Sequence, residues 1–160
     1  MATLARTLRP YLRCVRHQVR NYAEGSGNQM KFTFAGANQV YYDSADIKQV
    51  DVPSFSGSFG ILPHHVPTLA VLKPGIVTVY EQSGDVKKVF VSSGTVTINE
   101  DSSVQILAEE AHPVENLDNS AARDLLSKAQ QQLSAASSEQ DKAEAGIAVE
   151  VAEALVAASS

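Results

Sequence analysis

The chain has 160 residues, 44% hydrophobic and 19% charged, the composition of one soluble domain with at most a small appendage. No window approaches the roughly eighteen consecutive apolar residues of a spanning helix, and a single cysteine, Cys14, excludes an intrachain disulfide framework and a cysteine-based zinc site. Aromatic residues total 6% with no tryptophan, which leaves little for a base-stacking platform, and the formal charge of −5 hides an uneven distribution.

Five arginines, Arg6, Arg9, Arg13, Arg16 and Arg20, fall in the first 22 residues, where no Asp or Glu occurs. Their spacing of three or four places them on one helical face, with Leu4, Leu8, Leu12, Val15 and Val19 on another. A basic, amphipathic, acid-free start is the pattern of a mitochondrial transit peptide, expected here over 1–22. Pro10 would kink a standing helix, but such a segment need only fold transiently. Arg20-Asn21-Tyr22 before Ala23 resembles an arginine-containing processing site, so the mature chain is expected to begin at Ala23, with a flexible stretch over 23–29. Of the 13 Lys and Arg, the eight beyond residue 22 face all 18 acids, a charge of −10. The competing reading, an arm that binds nucleic acid or anionic lipid, is opposed by that remainder, which would repel a polyanion.

Residues 30–112 read as β. Lys31 to Phe34 and Ile47 to Val52 alternate, Ile76 to Tyr80 follows Pro74-Gly75, and Val86 to Val91 follows a Ser83-Gly84-Asp85 turn. Thr95 to Ile98, the polar turn Asn99 to Ser102, and Val104 to Ala108 complete the series, with Ser92-Ser93-Gly94 read as a tight β-turn. Short β-branched runs between such turns, with no helical pattern among them, indicate a sandwich or barrel and exclude parallel βαβ units. The character changes at Pro113. Ala122, Leu125, Leu126, Ala129, Leu133 and Ala136 form a helical stripe over 117–136, with Asp118 or Ser120 as N-cap. Ser137-Ser138 interrupts it, and a second helix is expected over about 139–158, with Ala143, Ile147, Val151, Ala154 and Leu155 on one side. The fold class is therefore α+β: an N-terminal antiparallel β-sandwich over 30–112, then a C-terminal antiparallel αα-hairpin over 113–160. The Ala-rich seam suggests a hairpin that leans on the sandwich or on a partner.

The segment from Ser54 to Pro67 is a shaped loop with two imidazoles, His64 and His65. Gly57 and Gly60 permit positive φ or close approach, and Pro63 and Pro67 stiffen the exit. A metal site from His64, His65 and His112 is disfavoured, because neighbours on an extended segment point to opposite faces. The serines of Ser56-Gly57-Ser58 lack the strand-to-helix setting of a nucleophile elbow, and the glycines lack the Lys-Ser/Thr pair of a phosphate loop. Glu109-Glu110 reads as a solvated edge rather than a carboxylate pair. No catalytic constellation, metal site or cofactor site emerges.

The pattern Gly57-x-x-Gly60-Ile61-Leu62-Pro63-x-His65-x-Pro67, then Leu72-x-Pro74-Gly75 and Val91-Ser92-Ser93-Gly94, resembles the delta/epsilon subunits of F-type ATP synthases over about residues 30–158. The resemblance implies a non-catalytic central-stalk subunit that joins the gamma subunit to the membrane proteolipid ring and transmits rotation. It places the chain beside gamma, the small mitochondrial epsilon subunit and the ring, peripheral on the matrix side of the inner membrane. By the same resemblance Ser56, Gly57, Ser58 and Phe59 align with the loop that faces the ring, and His65 with a histidine near the gamma contact. Gly60, Pro63, Pro67, Gly75 and Gly94 match the positions that shape the loops. Many bacterial relatives carry a carboxylate where Ser58 stands, so a charge-based ring contact at that position is not expected here. Their nucleotide-binding pattern needs an arginine at Ala121, and the net-acidic hairpin offers only Arg123, Lys128 and Lys142, so no ATP binding is expected. The runner-up reading is a small-ligand-binding β-sandwich module of the mitochondrial matrix.

Overall fold

A computed structural model describes residues 29–160; the expected transit peptide, its processing site and all but Gln29 of the stretch 23–29 lie outside the described residues. Nine strands run β1 (Met30–Ala35), β2 (Val40–Ser54), β3 (Gly57–Ile61), β4 (Thr68–Leu72), β5 (Gly75–Glu81), β6 (Val86–Val91), β7 (Gly94–Ile98), β8 (Val104–Ala108) and β9 (Ala111–Pro113). A 3-10 turn (Val114–Asn116) leads to α1 (Asn119–Ala135) and α2 (Glu139–Ala158).

Strand β2 belongs to both layers of the sandwich. Its first half pairs with β1 (Met30 opposite Ile47), its middle with β5 (Val50 opposite Val79), and its end with β3 and, through Ser54, with Leu72 of β4. One layer is therefore β4-β7-β8-β1 and the other β3-β2-β5-β6-β9. Period-2 alternation fills the space between them. Met30, Phe32 and Phe34 of β1, Val104 and Ile106 of β8, Val77 and Val79 of β5, and Val96 and Ile98 of β7 all point inward and are buried.

The sheet departs from the expected pattern in three places. Strands β1 and β8 pair in parallel, Phe32 opposite Val104, because chain-distant elements close that layer. Ser92-Ser93 is not a hairpin turn: β6 pairs with β5 and β9, β7 with β4 and β8, so the two residues carry the chain from one layer to the other. The segment read as a loop from Ser54 to Pro67 contains a strand, β3, in a two-residue hairpin with β2 across Phe55 and Ser56.

The hairpin is capped at both helical starts. Asp118 accepts from the backbone N–H of Ser120 (2.8 Å) and Ala121 (3.4 Å), and Ser138 accepts from Asp141 (3.0 Å). Asn119 Nδ2 donates to the carbonyl of Ser159 (3.1 Å) and to its hydroxyl oxygen (3.2 Å), tying the start of α1 to the end of α2. The buried seam is Ala122 and Ala129 against Ala145 and Ala152. This corrects the expected α2 face: Ala143 and Ile147 are exposed, because the helix turns the face that carries Ala145 and Ala152, seven residues and about two turns apart, toward α1.

Helix α2 also reaches the sandwich. Ile76 and Phe90 are cross-strand partners on the face opposite the core, and cross-strand partners share a face. Phe90 is nevertheless only 4% exposed. Ile76 lines a hollow of about 370 Å³ with Ala154, Ala157 and Ala158 of α2, so the last turns of the helix lie on this outer face of the sheet.

Candidate interaction surface

The β2–β3 hairpin is closed from within. The buried Ser54 hydroxyl donates to the Gly57 carbonyl (2.7 Å) and stands 3.0 Å from the Ser56 hydroxyl. Gly57 has φ +126°, a conformation L side chains rarely adopt, which explains the glycine. The hairpin is strapped to its neighbours by Phe55 N–H to the Val71 carbonyl (3.2 Å) and Lys73 N–H to the Pro53 carbonyl (3.1 Å).

Along β3 the candidate residues separate by face. Ser56, Gly57 and Ser58 are exposed, while Phe59 opposes buried Val52 and packs against the core. Ser58 borders the hollow shared with the end of α2. Gly60 is a close-approach position: a Cβ there would stand 2.8 Å from Asp51 Oδ1, itself bonded to Gln49 Nε2 at 2.6 Å. Gly75 lies against Pro53, and a side chain at Gly94 would collide with the Leu107 backbone.

Beyond β3, Leu62-Pro63-His64-His65 is a tight turn closed by His65 N–H to the Leu62 carbonyl (3.1 Å). Pro63 supplies the first central φ, and His64 takes φ +64° at a position that usually requires glycine. Ser102, in the β7–β8 turn, has φ +64° as well. The two strained residues bond each other: His64 N–H donates to Ser102 Oγ (3.2 Å), and Ser102 Oγ lies 3.4 Å from His64 Nδ1. This clasp sets the exit of the turn. His65 follows it, its Nδ1 donating to the Val66 carbonyl (2.9 Å) and its ring packed 6.1 Å from that of Phe59. Pro67 then delivers the chain to β4.

Strand β4 carries a signal that the sequence reading passed over. Phe55 is 84% exposed, Leu69 74%, Val71 59% and, on β8, Leu107 57%. Val71, Thr95 and Leu107 form one cross-strand row over β4, β7 and β8, and Leu69, Thr97 and Gln105 the next. Residues 52–72 contain no Asp, Glu, Lys or Arg, and neither do 89–99. An uncharged face that exposes Leu69, Val71 and Leu107 among Thr95, Thr97 and Gln105, on a chain that is otherwise strongly acidic, is a candidate surface for a partner. Its sequence signal was the 21-residue charge gap itself.

Charge concentrates elsewhere. Lys87 Nζ meets Glu81 Oε1 at 2.8 Å, and Tyr42 donates to the same oxygen at 2.8 Å. The hydrogen bonds from Lys87 and Tyr42 hold the Glu81 carboxyl below its ordinary range, and burial, with Glu81 beside it, pushes the Tyr42 phenol up to about 12. His112 sits on β9 opposite Phe90, at the opposite edge of the layer from β3, the strand that leads into the His64 turn. Glu109 and Glu110 are both exposed, and Glu109 accepts from the Ser93 hydroxyl (2.7 Å). Among the described residues no cluster of His, Cys, Asp or Glu is placed to hold a metal ion, and no helix is long and apolar enough to cross a membrane.

Fold and surface together define a two-part protein: a β-sandwich with one uncharged apolar face and an appended αα-hairpin. Residues 29–114 match the family of the ATP synthase delta/epsilon chain, beta-sandwich domain. The mitochondrial ATP synthase subunit delta of Caenorhabditis elegans is 47% identical over 138 residues, covering 86% of this chain and 84% of that one. That of Neurospora crassa is 39% identical, covering 88% and 85%. A chain in the cryo-EM structure of Euglena gracilis mitochondrial ATP synthase, comprising OSCP, F1 and the c-ring, superposes with TM-score 0.77 at 25% identity, with 86% of each chain covered. The central stalk and c-ring structure from Tetrahymena thermophila holds a chain of the same fold, at TM-score 0.65. This chain belongs to the ATP synthase delta/epsilon family.

Proposed function

We propose that the chain is a non-catalytic central-stalk subunit of the mitochondrial ATP synthase, joining the gamma subunit to the proteolipid ring and transmitting rotation. The observation that carries this reading is the uncharged apolar face of β4, β7 and β8, continuous with the β2–β3 tip. Such a face suits cover by another subunit, and the sharing of β2 between the two layers ties them together, as a torque-bearing part requires. The tip segment, with Ser56, Gly57 and Ser58 exposed and Phe59 packed against the core beneath them, is assigned to the ring contact, and the fixed His65 imidazole to gamma. The small mitochondrial epsilon subunit completes the assembly, peripheral to the inner membrane on its matrix side. Loss of residues 1–22 on import leaves a mature chain starting at Ala23 and charged −10, with the sandwich over 30–112 and the hairpin over 113–160. Gly60, Pro63, Pro67, Gly75 and Gly94 serve by shaping the loops.

The reading includes no hydrolytic activity, no bound cofactor and no ATP site. Ala121 stands where the nucleotide pattern needs arginine, and Asp118 is engaged as a helix cap. Affinity purification of the tagged chain from solubilised mitochondrial inner membrane tests the proposal. Recovery of gamma and the proteolipid is expected. A monomer carrying a small matrix ligand would favour the ligand-binding alternative and overturn it.

A further inference from the structure

A single exposed apolar side chain is ordinary on any protein surface, so the exposure of Phe55 decides nothing by itself. What sets Phe55 apart is the support beneath it. Its own N–H is bonded to Val71, the strand on either side is pinned by Lys73 and by the buried Ser54 hydroxyl, and Gly57 supplies the backbone conformation that closes the turn. The backbone that carries the ring is thus held at the apex before any partner arrives, which removes the backbone part of the ordering entropy that a flexible loop would lose on binding. Leu69 and Val71 extend the apolar surface behind it, and no formal charge lies within residues 52–72.

We propose that Phe55 is a preformed apolar anchor that inserts into an uncharged crevice on the loop surface of the proteolipid ring. The inference rests on the assignment of the β2–β3 tip to the ring. An ion pair at that contact would have to come from this tip, and Ser56, Gly57 and Ser58 provide no charge. Exposed ion pairs would in any case resist sliding poorly, because water and salt screen them. A desolvated aromatic in a pocket is the usual high-energy element of an interface and opposes lateral slip through shape. A ring of identical subunits repeats the same crevice, of which one anchor fills one.

The test uses the assembled enzyme in mitochondria whose own copy of this chain is replaced. Phe55→Ser is expected to raise loss of the ring from the detergent-solubilised complex by about tenfold or more. It should lower proton pumping per ATP hydrolysed while gamma stays bound. Phe55→Leu, which keeps an apolar side chain at the tip, should restore both. A benzophenone amino acid at position 55 should crosslink to the proteolipid. Ring retention equal to wild type in Phe55→Ser, with a benzophenone at position 58 still labelling the proteolipid, overturns the anchor and leaves the ring assignment standing. Labelling of gamma alone from both positions overturns the ring assignment and the anchor with it.

Discussion

The sandwich and the hairpin are stabilised by different physics. In the sandwich, Met30, Phe32, Phe34, Ile47, Ile61, Leu72 and Ile106 are almost fully buried in one continuous core. In the hairpin the fully buried side chains are alanines: Ala122, Ala129, Ala145, Ala152 and Ala158. A buried methyl contributes about 0.8 kcal/mol, whereas a buried Leu, Ile or Phe contributes roughly two to four times that. The hairpin compensates with caps, the Asn119–Ser159 tie and its seat on Ile76 of the sheet. A self-sufficient domain and a dependent one therefore share a chain, and partners act most easily on the second.

Cutting the chain at the boundary exposes the difference most strongly. Residues 113–160 alone are expected to lose most of their helical signal at 25 °C in far-ultraviolet circular dichroism, since short helices with little apolar burial are marginal in water. Residues 29–113 are expected to keep a cooperative unfolding transition. Equal stability of the two pieces would break the comparison. Within the intact chain, Phe32→Ala should destabilise the sandwich by about 3–5 kcal/mol in urea unfolding, as for other buried aromatic truncations. Phe90→Ala should act differently. Phe90 lies outside the core on the face that α2 approaches, so the expected result is early loss of helical signal while the sandwich transition remains.

The same asymmetry governs what was legible in the sequence. Alternation exposed β1, the middle of β2, β5, β6, β7 and β8, because one face of each must be apolar. Strand β3 was hidden by its composition: Gly57-Ser58-Phe59-Gly60-Ile61 has the glycines of a loop, and only tertiary pairing with β2 makes it a strand. Strand β4 was hidden for the opposite reason, being apolar on both faces, Leu72 inward and Leu69 and Val71 outward. The α2 stripe was misplaced in part: Val151, Ala154 and Leu155 are half-buried, but Ala143 and Ile147 are exposed, and the buried positions are Ala145 and Ala152. The clasp between His64 and Ser102 joins residues 38 apart in sequence, a distance at which no local pattern operates. The apex position of Phe55 appears only once the two-residue hairpin is known.

Smaller effects sharpen the comparison inside the hairpin. Asp118→Ala removes the cap that holds two backbone donors and should cost about 1 kcal/mol. Hydrogen exchange is expected to show the loss confined to the first turns of α1. Ala129→Gly should cost a similar amount, about 1 kcal/mol from backbone entropy, with a small further loss from the missing methyl at the seam. Neither change should move the sandwich transition. A shift of that transition by as much as the helical one would mean that the two parts unfold as one unit.

Alkaline titration gives the gentlest separation, because the sandwich carries Tyr41, Tyr42 and Tyr80 and the hairpin carries no tyrosine. The Tyr42 phenol is raised from 10.0 to about 12, first by burial and then by the neighbouring Glu81 carboxylate. The unfolded chain therefore releases this proton at lower pH than the folded one. The stabilisation is complete below pH 10 and is lost as the pH climbs through about 12. Chemical unfolding of wild type at pH 9, 10 and 11 should show falling sandwich stability, and Tyr42→Phe should flatten that fall. The variant also removes the bond to Glu81, so its stability at pH 9 should be slightly lower than wild type. An unchanged slope in Tyr42→Phe would assign the alkaline loss to other groups, Tyr80 first, whose phenol is raised by Asp51.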